Sequence, residues 1–540
     1  MSGVRNRLMG TIRWKLWWLQ LQVGAAWFAE ALTHEPIYRP AWALTHNRGR
    51  KIIKREFTFC GETVEMAGHI QWNVAEISVD WHREFFSFGW LQDVVAIHSE
   101  KIASSFAREF INGFTLITPH DDLHSSAWEP EVAGERLAHW LYYRAFVLRG
   151  GSKTFFVRYE RALLRHIQML YQLGCTNPEA LSPNALKGLL AAATALPSLI
   201  DLLQPLLRWL EMLIQRDILP DGGHISLSPH HHVQFLRTLI EMKEMLETIS
   251  IAFEPLDHAI ARMGAFLRMI IHGDGKLGLF QQNLMDDPTL IAQCLQQAGI
   301  DLASPSPKAH RAESSGYARI HGAHQSLLLT RIPPSARQDA PVGVGSIEFS
   351  VAKERLIVNC GTYVGTSNAW IHAMQQPSAF SVLSSTDDAP DTHTPYHASQ
   401  TLKSHDSHTT LQLLLPLAHG VTHERQLDVY HHERMMRGKD MLHWSGAEHL
   451  ATNGLDVAVR FHLHPDVRCQ PRKEHGILLT LVSGQEWLFS TSAANFLHVE
   501  ESVFLGVQGK PQKTLQLCIA WRATEERSGI SWELRYVAAP

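Results

Sequence analysis

The chain has 540 residues, 45% of them hydrophobic and 19% charged, which is typical of globular proteins with large buried cores. Its formal net charge of −4 excludes the strongly basic surface of a nucleic-acid-binding protein, and its six cysteines form no C-x-x-C pair that would indicate a zinc ribbon or a thioredoxin-type motif. The length predicts two large domains.

The N-terminus combines a basic start with an uncharged run over residues 16–29. This run is too short to span a bilayer, and Arg13 and Lys15 interrupt its resemblance to a signal peptide. An amphipathic helix, packed on the protein or lying on a membrane surface, explains the run equally well. We therefore predict no cleaved signal peptide and no integral membrane span.

Residues from about 134 to 297 show apolar side chains at three- and four-residue spacing, which predicts consecutive amphipathic helices. The segments "GCTNP", "PDGG" and "HGDG" interrupt the pattern and are typical of loops. Short links between helices favour an array of helical hairpins, arranged as a bundle, a solenoid or a toroid.

The stretch "DGGHISLSPHHHVQFL" holds four histidines within the helical region. Ser228 is a predicted N-cap and Pro229 a predicted first helical residue. Adjacent helical residues point about 100° apart, so three consecutive imidazoles cannot bind one metal ion. Two interpretations stay open: His224 converges with one residue of the triplet, or the histidines are solvated groups at a helix start.

A Ser/Pro/Ala-rich link over residues 301–317 precedes a region of short strand-like segments with turn residues between them. Many short strands over this length favour an antiparallel sandwich. The predicted fold is thus α+β, with a helical domain over residues 1–305 and an antiparallel β-sandwich domain over residues 306–540.

Two strand-like segments carry candidate functional groups. In "VAVRFHLHPD", alternation places Arg460, His462 and His464 opposite the apolar face. Such a face can bind a divalent metal through its imidazoles or an anion through its arginine, and it can equally be plain exposed sheet. The segment "THERQLDVYHH" adds His423 and Arg425, where plain sheet surface is again the alternative.

Taken in order, these motifs resemble the heparinase II/III-like family, whose members join an incomplete (α/α) toroid to a C-terminal antiparallel β-sandwich. The resemblance covers most of the chain. The segments that carry it are "ILPDGGHISLSP", "HGDGKLGLF", "SSGYARIHGAHQSLLLTR", "SIEFSVAKERLIVNCGTY", "THERQLDVYHHERMMRGKDML" and "VAVRFHLHPDV".

The resemblance implies a polysaccharide lyase that cleaves an anionic, uronic-acid-containing glycan by β-elimination, in a cleft between the two domains. It also implies a location in the periplasm or cell envelope, with the cytoplasm as the alternative. Some members hold a divalent metal, and a structural Zn or Ca ion is an open expectation here. The predicted acid/base residues are His224, His231 and His232, the predicted substrate contacts Arg460, Tyr317, His423 and Arg425, and the predicted metal ligands His462 and His464.

Several positions depart from the family pattern. His231 occupies the position of a catalytic Tyr, and Gly343 and Phe380 stand where lyases carry His. Asn359 replaces an Asp, and Arg165-His166 is the nearest match to an expected Asn-His pair. The sequence therefore supports two functions: a lyase with an altered site, or a catalytically impaired relative that binds glycan or assists envelope-polysaccharide assembly. A third possibility, a glycosidase, would use paired carboxylates such as Asp221 and Asp274.

Overall fold

The computed structural model describes residues 38–42, 46–66, 68–97, 100–117, 126–281, 283–304, 307–331, 343–385, 398–417, 421–444, 453–472, 476–506 and 511–538. The N-terminal run at residues 16–29 lies outside them. The chain divides into two compact units, residues 1–214 with 238–256 and residues 215–237 with 257–540. None of the helices in the described ranges is long and apolar enough to cross a membrane.

The first unit is mainly helical, and serine side chains cap several of its helices. The side chains of Ser78, Ser152 and Ser182 each accept a hydrogen bond from the backbone N–H of the residue three positions later in the chain. This bond satisfies a donor that the first helical turn leaves unpaired. The elements of the first unit are α1 (His46–Ile53), the hairpin strands β1 (Glu56–Phe59) and β2 (Glu62–Glu65), and the helices α2 (Val79–Ser87), α3 (Leu91–Val95), α4 (Glu100–Phe114), α5 (Pro130–Tyr142), α6 (Arg144–Leu148), α7 (Lys153–Thr176), α8 (Pro183–Ala195) and α9 (Leu203–Asp217, whose last residues belong to the second unit).

An aromatic cluster forms part of the core of the first unit. Phe57 packs edge-on against Phe85 and Trp90, and Trp90 packs edge-on against Phe110. All four side chains are buried. Each such ring contributes about 2–3 kcal/mol through burial, so the hairpin β1–β2 is held to the helices by apolar packing.

The second unit holds the remaining helices and all later strands. Its elements are α10 (Pro229–Thr248, which continues into the first unit), α11 (Glu254–Ile270, which begins in the first unit), α12 (Pro288–Gln297), α13 (Asn368–Met374), β3 (Ala309–Ala312), β4 (Tyr317–His321), β5 (Ser326–Arg331), β6 (Ile347–Val351), β7 (Glu354–Val358), β8 (Leu383–Ser385), β9 (Ser399–Ser404), β10 (His408–Pro416), β11 (Thr422–Tyr430), β12 (Met435–His443), β13 (Leu455–Leu463), β14 (Arg468–Arg472), β15 (Gly476–Thr480), β16 (Glu486–Thr491), β17 (Leu497–Phe504), β18 (Gln512–Ala523) and β19 (Gly529–Ala538).

These strands form two antiparallel sheets. The first has the order β17-β18-β13-β7-β6-β5-β4-β3, with β8 paired to β13, and the second has the order β14-β15-β16-β19-β12-β11-β10-β9. The short helix α13 interrupts the strand-rich region, where the sequence predicted no helix.

Apolar side chains from both sheets form one core, as expected of a sandwich. Val457, Val459, Phe461 and Leu463 of β13 all belong to it, which confirms the predicted alternation. Phe461 of the first sheet packs edge-on against Trp532 of the second, with ring centroids 4.8 Å apart. Helices give way to strands between Gln297 and Ala309. The domain boundary at 305/306 stays a prediction, because both residues lie outside the described chain.

Candidate functional site

The histidine-rich stretch forms a turn followed by the start of α10. Asp221 stabilises the turn, since its two carboxylate oxygens accept the backbone N–H groups of Gly223 and Ser315 at 3.1 and 2.7 Å. Helix α10 begins at Pro229, and the Ser228 hydroxyl accepts the His231 N–H, as the capping prediction requires. The Asp221 carboxylate is thus committed to backbone groups.

His224 is held in one neutral form. Its Nδ1 accepts the Ser226 backbone N–H at 3.1 Å and lies 2.7 Å from the Ser226 hydroxyl. The ring proton therefore resides on Nε2. Burial lowers the pKa of His224 to about 4, so the ring stays neutral at physiological pH.

His230 forms a hydrogen-bonded pair with a carboxylate that the sequence did not reveal. Its Nδ1 donates to both carboxylate oxygens of Asp286 at 2.9 and 3.0 Å, and its backbone N–H donates to Asn283 Oδ1 at 2.7 Å. The exposed ring of His231 lies 6.0 Å from that of His230. A carboxylate that orients an imidazole is the usual arrangement of a general base. Asp286 lies far along the chain in a loop, so no local spacing could indicate the pair.

His232 points into the interior. Its Nε2 donates to the Met263 carbonyl at 2.9 Å, and its ring packs 5.0 Å from the Phe266 ring. Burial lowers the pKa of His232 to about 3. Of the three predicted acid/base residues, His224 and His231 retain exposed surface, whereas His232 is 1% exposed.

His462 lies on the face of β13 opposite the sandwich core, as predicted, whereas His464 follows directly after the end of that strand. His462 is buried, and its Nε2 donates to the Ser378 carbonyl at 3.0 Å while its Nδ1 accepts the Ser502 hydroxyl at 2.7 Å. Both ring nitrogens are therefore engaged, and His462 does not fit a metal ligand. His464 packs edge-on against Phe504. Within the described residues, no group of three or more His, Cys, Asp or Glu side chains is arranged to hold a metal.

Arg460, also on β13, lies in a cavity of about 580 Å³. Its Nη1 donates to Ser384 Oγ at 2.7 Å, and none of the described carboxylates forms an ion pair with it. A half-buried guanidinium of this kind keeps donors available to an anionic ligand. The cavity is lined by Gln376, Pro377, Ser378, Ser384, Ser385, Asp456, Val457, Ala458, Arg460, Phe496, Ala520, Trp521 and Arg522.

His423 and Arg425 lie between the two sheets. Each donates to Asp440 Oδ1 at 2.7 Å, and Trp532 Nε1 donates to Asp440 Oδ2 at 2.9 Å. Burial raises the pKa of Asp440, but the charges and hydrogen bonds of Arg425 and His423 hold it well below its ordinary value. These side chains reach no solvent. Their contacts stabilise the sandwich.

Tyr317 is likewise buried, and its hydroxyl donates to the Leu227 carbonyl at 2.9 Å. This bond ties β4 to the turn that carries His224. The substrate contacts predicted for Tyr317, His423 and Arg425 would require buried side chains to meet a ligand, whereas Arg460 lies in an open cavity.

A second buried network joins the "HGDG" turn to the first sheet. His272 bonds Glu348 at 2.9 Å through Nε2 and Ser350 at 2.8 Å through Nδ1. Arg355 donates to both oxygens of Asp274 at 2.9 and 3.1 Å. Because Asp274 is paired to Arg355 and Asp221 to backbone groups, the structure offers no support for the two-carboxylate glycosidase.

His166, the nearest match to the expected Asn-His pair, lies in the core of the first unit. Arg136 Nε donates to His166 Nε2 at 2.8 Å, while His166 Nδ1 donates to the Ala162 carbonyl at 2.6 Å. The Arg136 guanidinium also stacks 4.1 Å from the centre of the Phe114 ring. His166 and Arg136 therefore contribute to the packing of this core.

Comparison with known proteins assigns the strand-rich region. Residues 304–533 match the family model described as Heparinase II/III-like, C-terminal. This region is therefore similar to the C-terminal domain of heparinase II/III-like proteins. The chain also resembles solved structures along almost its whole length. The crystal structure of heparinase III matches with a TM-score of 0.76 and 10% identity, covering 95% of this chain and 89% of that one.

Heparan sulfate lyase HepC from Pedobacter heparinus matches with a TM-score of 0.62 and 14% identity, covering 96% of this chain and 88% of that one. At such identities the likeness shows a shared fold. The predicted helical toroid followed by a β-sandwich is thereby confirmed. The "FtsZ-localized protein C" of Caulobacter vibrioides is 26% identical over 452 residues, which cover 77% of this chain and 75% of that protein.

Gly343 and Phe380 occupy the two positions at which the sequence resemblance led us to expect histidines. A Cβ atom on Gly343 would lie 2.3 Å from Phe380 Cδ1, and Gly343 has φ +70°. The two departures are therefore packed against each other, with the buried Phe380 ring over the glycine. Asn359 accepts the Ser381 backbone N–H at 2.9 Å. None of these three side chains supplies an acid, a base or a charged ligand.

Proposed function

We propose that this heparinase II/III-like protein binds an acidic glycan and does not cleave it by the family's β-elimination. The observation that carries the proposal is Arg460, a guanidinium without an ion-pair partner among the described residues, in a cavity of about 580 Å³. Cavities of this size accommodate small ligands, and guanidinium groups bind carboxylates through paired hydrogen bonds.

The state of the histidines supports the second half of the proposal. β-Elimination needs a base for the C5 proton and an acid for the leaving oxygen. His224 uses its Nδ1 lone pair on a backbone N–H, and His232 and His462 use their Nε2 protons on carbonyl groups. The packed Gly343–Phe380 pair offers neither group.

A binding and turnover experiment tests the proposal. The purified chain is titrated calorimetrically with unsulfated oligosaccharides of alternating uronic acid and N-acetylhexosamine, and absorbance of unsaturated uronate products is followed in parallel. We expect binding without new absorbance. We also expect Arg460→Gln to weaken binding at least about tenfold, while Arg468→Gln, on an exposed edge strand, leaves it unchanged. Steady product formation, or full affinity in Arg460→Gln, would contradict the proposal.

A second candidate function is a lyase that uses His230 in place of the family's machinery. It is favoured by the His230–Asp286 pair, in which a carboxylate orients a partly exposed imidazole. If product absorbance rises in the same assay, His230→Ala and Asp286→Asn should both reduce the rate by about 100-fold or more. His310→Ala, at an exposed position on β3, serves as the control. Unchanged rates in the first two variants would exclude this candidate.

The sequence relative suggests where the protein acts. We propose that the chain associates with FtsZ at the cell envelope, as a protein of envelope assembly, because 77% of its length aligns with FtsZ-localized protein C. A fluorescent fusion expressed in Caulobacter vibrioides should coincide with labelled FtsZ, and purified FtsZ should retain the chain in a pull-down. A diffuse signal together with no retention would contradict this association.

A further inference from the structure

The Arg460 cavity is built on two neighbouring strands of the first sheet. Asp456, Ala458 and Arg460 alternate along the outer face of β13, and the register pairs Asp456 with Arg522 and Ala458 with Ala520 on β18. Directly opposed residues in an antiparallel pair share a face. The two alanines thus form a shallow floor, with Arg460 at one end and the Asp456–Arg522 pair at the other.

The two ends of this floor differ in charge. Arg460 has no carboxylate partner among the described residues, and only its Nη1 is bound, to Ser384 Oγ. Arg522 Nη1 donates to Asp456 Oδ2 at 3.0 Å, and its Nε and Nη2 donate to the Asn453 carbonyl at 3.1 and 2.7 Å. One end of the cavity is therefore cationic, and the other is a neutral pair with an exposed carboxylate.

The distance between the ends sets the length of the ligand. Asp456 and Arg460 are four residues apart on an extended strand, which corresponds to about 13 Å. A ligand that contacts both ends must be longer than one sugar ring. The alanine floor leaves room for such a chain, since a larger side chain at either position would occupy the same space.

We propose that the cavity binds an acidic oligosaccharide in one orientation, with an acidic sugar at Arg460 and an uncharged, unsulfated sugar at Asp456–Arg522. This inference rests on the glycan binding proposed above. Carboxylate and guanidinium groups together bind sugar hydroxyls, because one accepts and the other donates hydrogen bonds. A sulfate group at the same end would meet the Asp456 carboxylate, and like charges repel.

The test compares two probes that differ only in sulfation. Calorimetric titrations use an unsulfated uronic acid–N-acetylhexosamine tetrasaccharide and the same tetrasaccharide sulfated on the hexosamine. The wild-type chain should prefer the unsulfated probe by about fivefold. Asp456→Asn should abolish this preference by strengthening binding of the sulfated probe, because Arg522 then lacks its counter-charge. Ala520→Leu should weaken binding of both probes without changing their ratio.

The outcomes separate this inference from the proposed function. If Arg460→Gln weakens binding of both probes but Asp456→Asn leaves their ratio unchanged, glycan binding stands and the orientation proposed here is wrong. A wild-type preference for the sulfated probe also overturns it. If Arg460→Gln binds both probes as tightly as the wild type does, the cavity is not the glycan site, and the proposed function fails at this location.

Discussion

Two arginines of the sandwich, Arg425 and Arg460, show how the same side chain acts in two settings. Arg425 on β11 is fully buried and donates to Asp440 and to the carbonyls of Gly345 and Ser381. Arg460 on β13 is half-buried, lies in a cavity and forms no ion pair within the described chain. The sequence presented both as substrate-binding candidates.

The difference lies in the counter-charge. A buried cation requires a partner inside the protein, because an uncompensated charge in the interior is strongly unfavourable. Arg425 has that partner, so its charge is used for the fold. Arg460 lacks one and faces a cavity, so its charge is available to a ligand. Substitutions should therefore affect stability at Arg425 and binding at Arg460.

The largest effect is expected from removing the counter-charge of Arg425. Asp440→Asn leaves the guanidinium buried without an anion, and we expect the free energy of unfolding to fall by about 3–5 kcal/mol. Urea denaturation measures the change. Asp466→Asn, at an exposed position, is the control and should alter stability by less than about 0.5 kcal/mol.

His423, Arg425, Asp440 and Trp532 form what we call the Arg425 cluster. A loss of stability below about 1 kcal/mol in Asp440→Asn would contradict a structural role for this cluster. The double variant Arg425→Met with Asp440→Leu sharpens the result, because it removes both charges together. It should recover part of the lost stability, as replacement of buried ion pairs by apolar residues does elsewhere.

A smaller loss is expected at the Gly343–Phe380 contact. Gly343→Ala introduces a Cβ that meets the Phe380 ring and places a non-glycine residue at φ +70°. We expect a destabilisation of about 2–4 kcal/mol, measured by thermal and urea denaturation. Gly299→Ala is the matched control, because its φ is +73° and nothing lies within 4 Å of the added atom.

The backbone contribution alone should make Gly299→Ala lose about 1 kcal/mol. In a Phe380→Leu background, the penalty of Gly343→Ala should shrink, since part of the ring has been removed. Equal penalties in both backgrounds would show that the contact does not govern the site.

The sequence predicted the order of helices and strands well because periodicity reports which side chains are buried. It also contained the pattern that places Arg425 on the inner face of its sheet. In "THERQLDVY", His423 and Arg425 alternate in phase with Leu427 and Val429, which lie in the sandwich core. The period-two argument that placed Arg460 on the outer face would have placed Arg425 on the inner one.

Other features depend on contacts that local patterns do not encode. The partner of His230 is Asp286, which lies beyond helix α11 in a loop. The packing of Phe380 on Gly343 joins residues from separate loops. Gly343 and Phe380 were each visible as departures from the family pattern, but their contact required the folded chain. The β3 strand, inside the predicted Ser/Pro/Ala-rich link, was missed because its short polar sequence has no apolar period.

Acid should weaken the Arg425 cluster to a smaller extent than substitution does. The folded pKa of Asp440 lies below its ordinary value of 3.8, so its ionised form contributes stability above that value. This contribution is lost as the pH falls below 3.8 towards the folded pKa. Mild acid therefore removes only part of it. Urea denaturation at about pH 5 and about pH 3 should show a steeper loss in the wild type than in Asp440→Asn.

The comparison with Asp440→Asn isolates this titration from that of the histidines. His224, His232 and His462 have lowered pKa values in the folded protein. Below pH 6.5, the ordinary pKa of histidine, these side chains are therefore protonated more readily in the unfolded chain than in the folded one, which reduces stability in both proteins alike. Parallel pH profiles for the wild type and Asp440→Asn would show that Asp440 does not titrate with a lowered pKa.

The smallest stability effect is expected at Arg460. Arg460→Gln removes a cation that has no counter-charge among the described residues, and glutamine can still donate to Ser384. We expect the free energy of unfolding to change by less than about 0.5 kcal/mol, even though glycan affinity falls. A loss comparable to that of Asp440→Asn would mean that Arg460, like Arg425, serves the fold. Unchanged stability with reduced affinity is the result that separates the two arginines, because Arg460 would then contribute to ligand binding and not, like Arg425, to the fold.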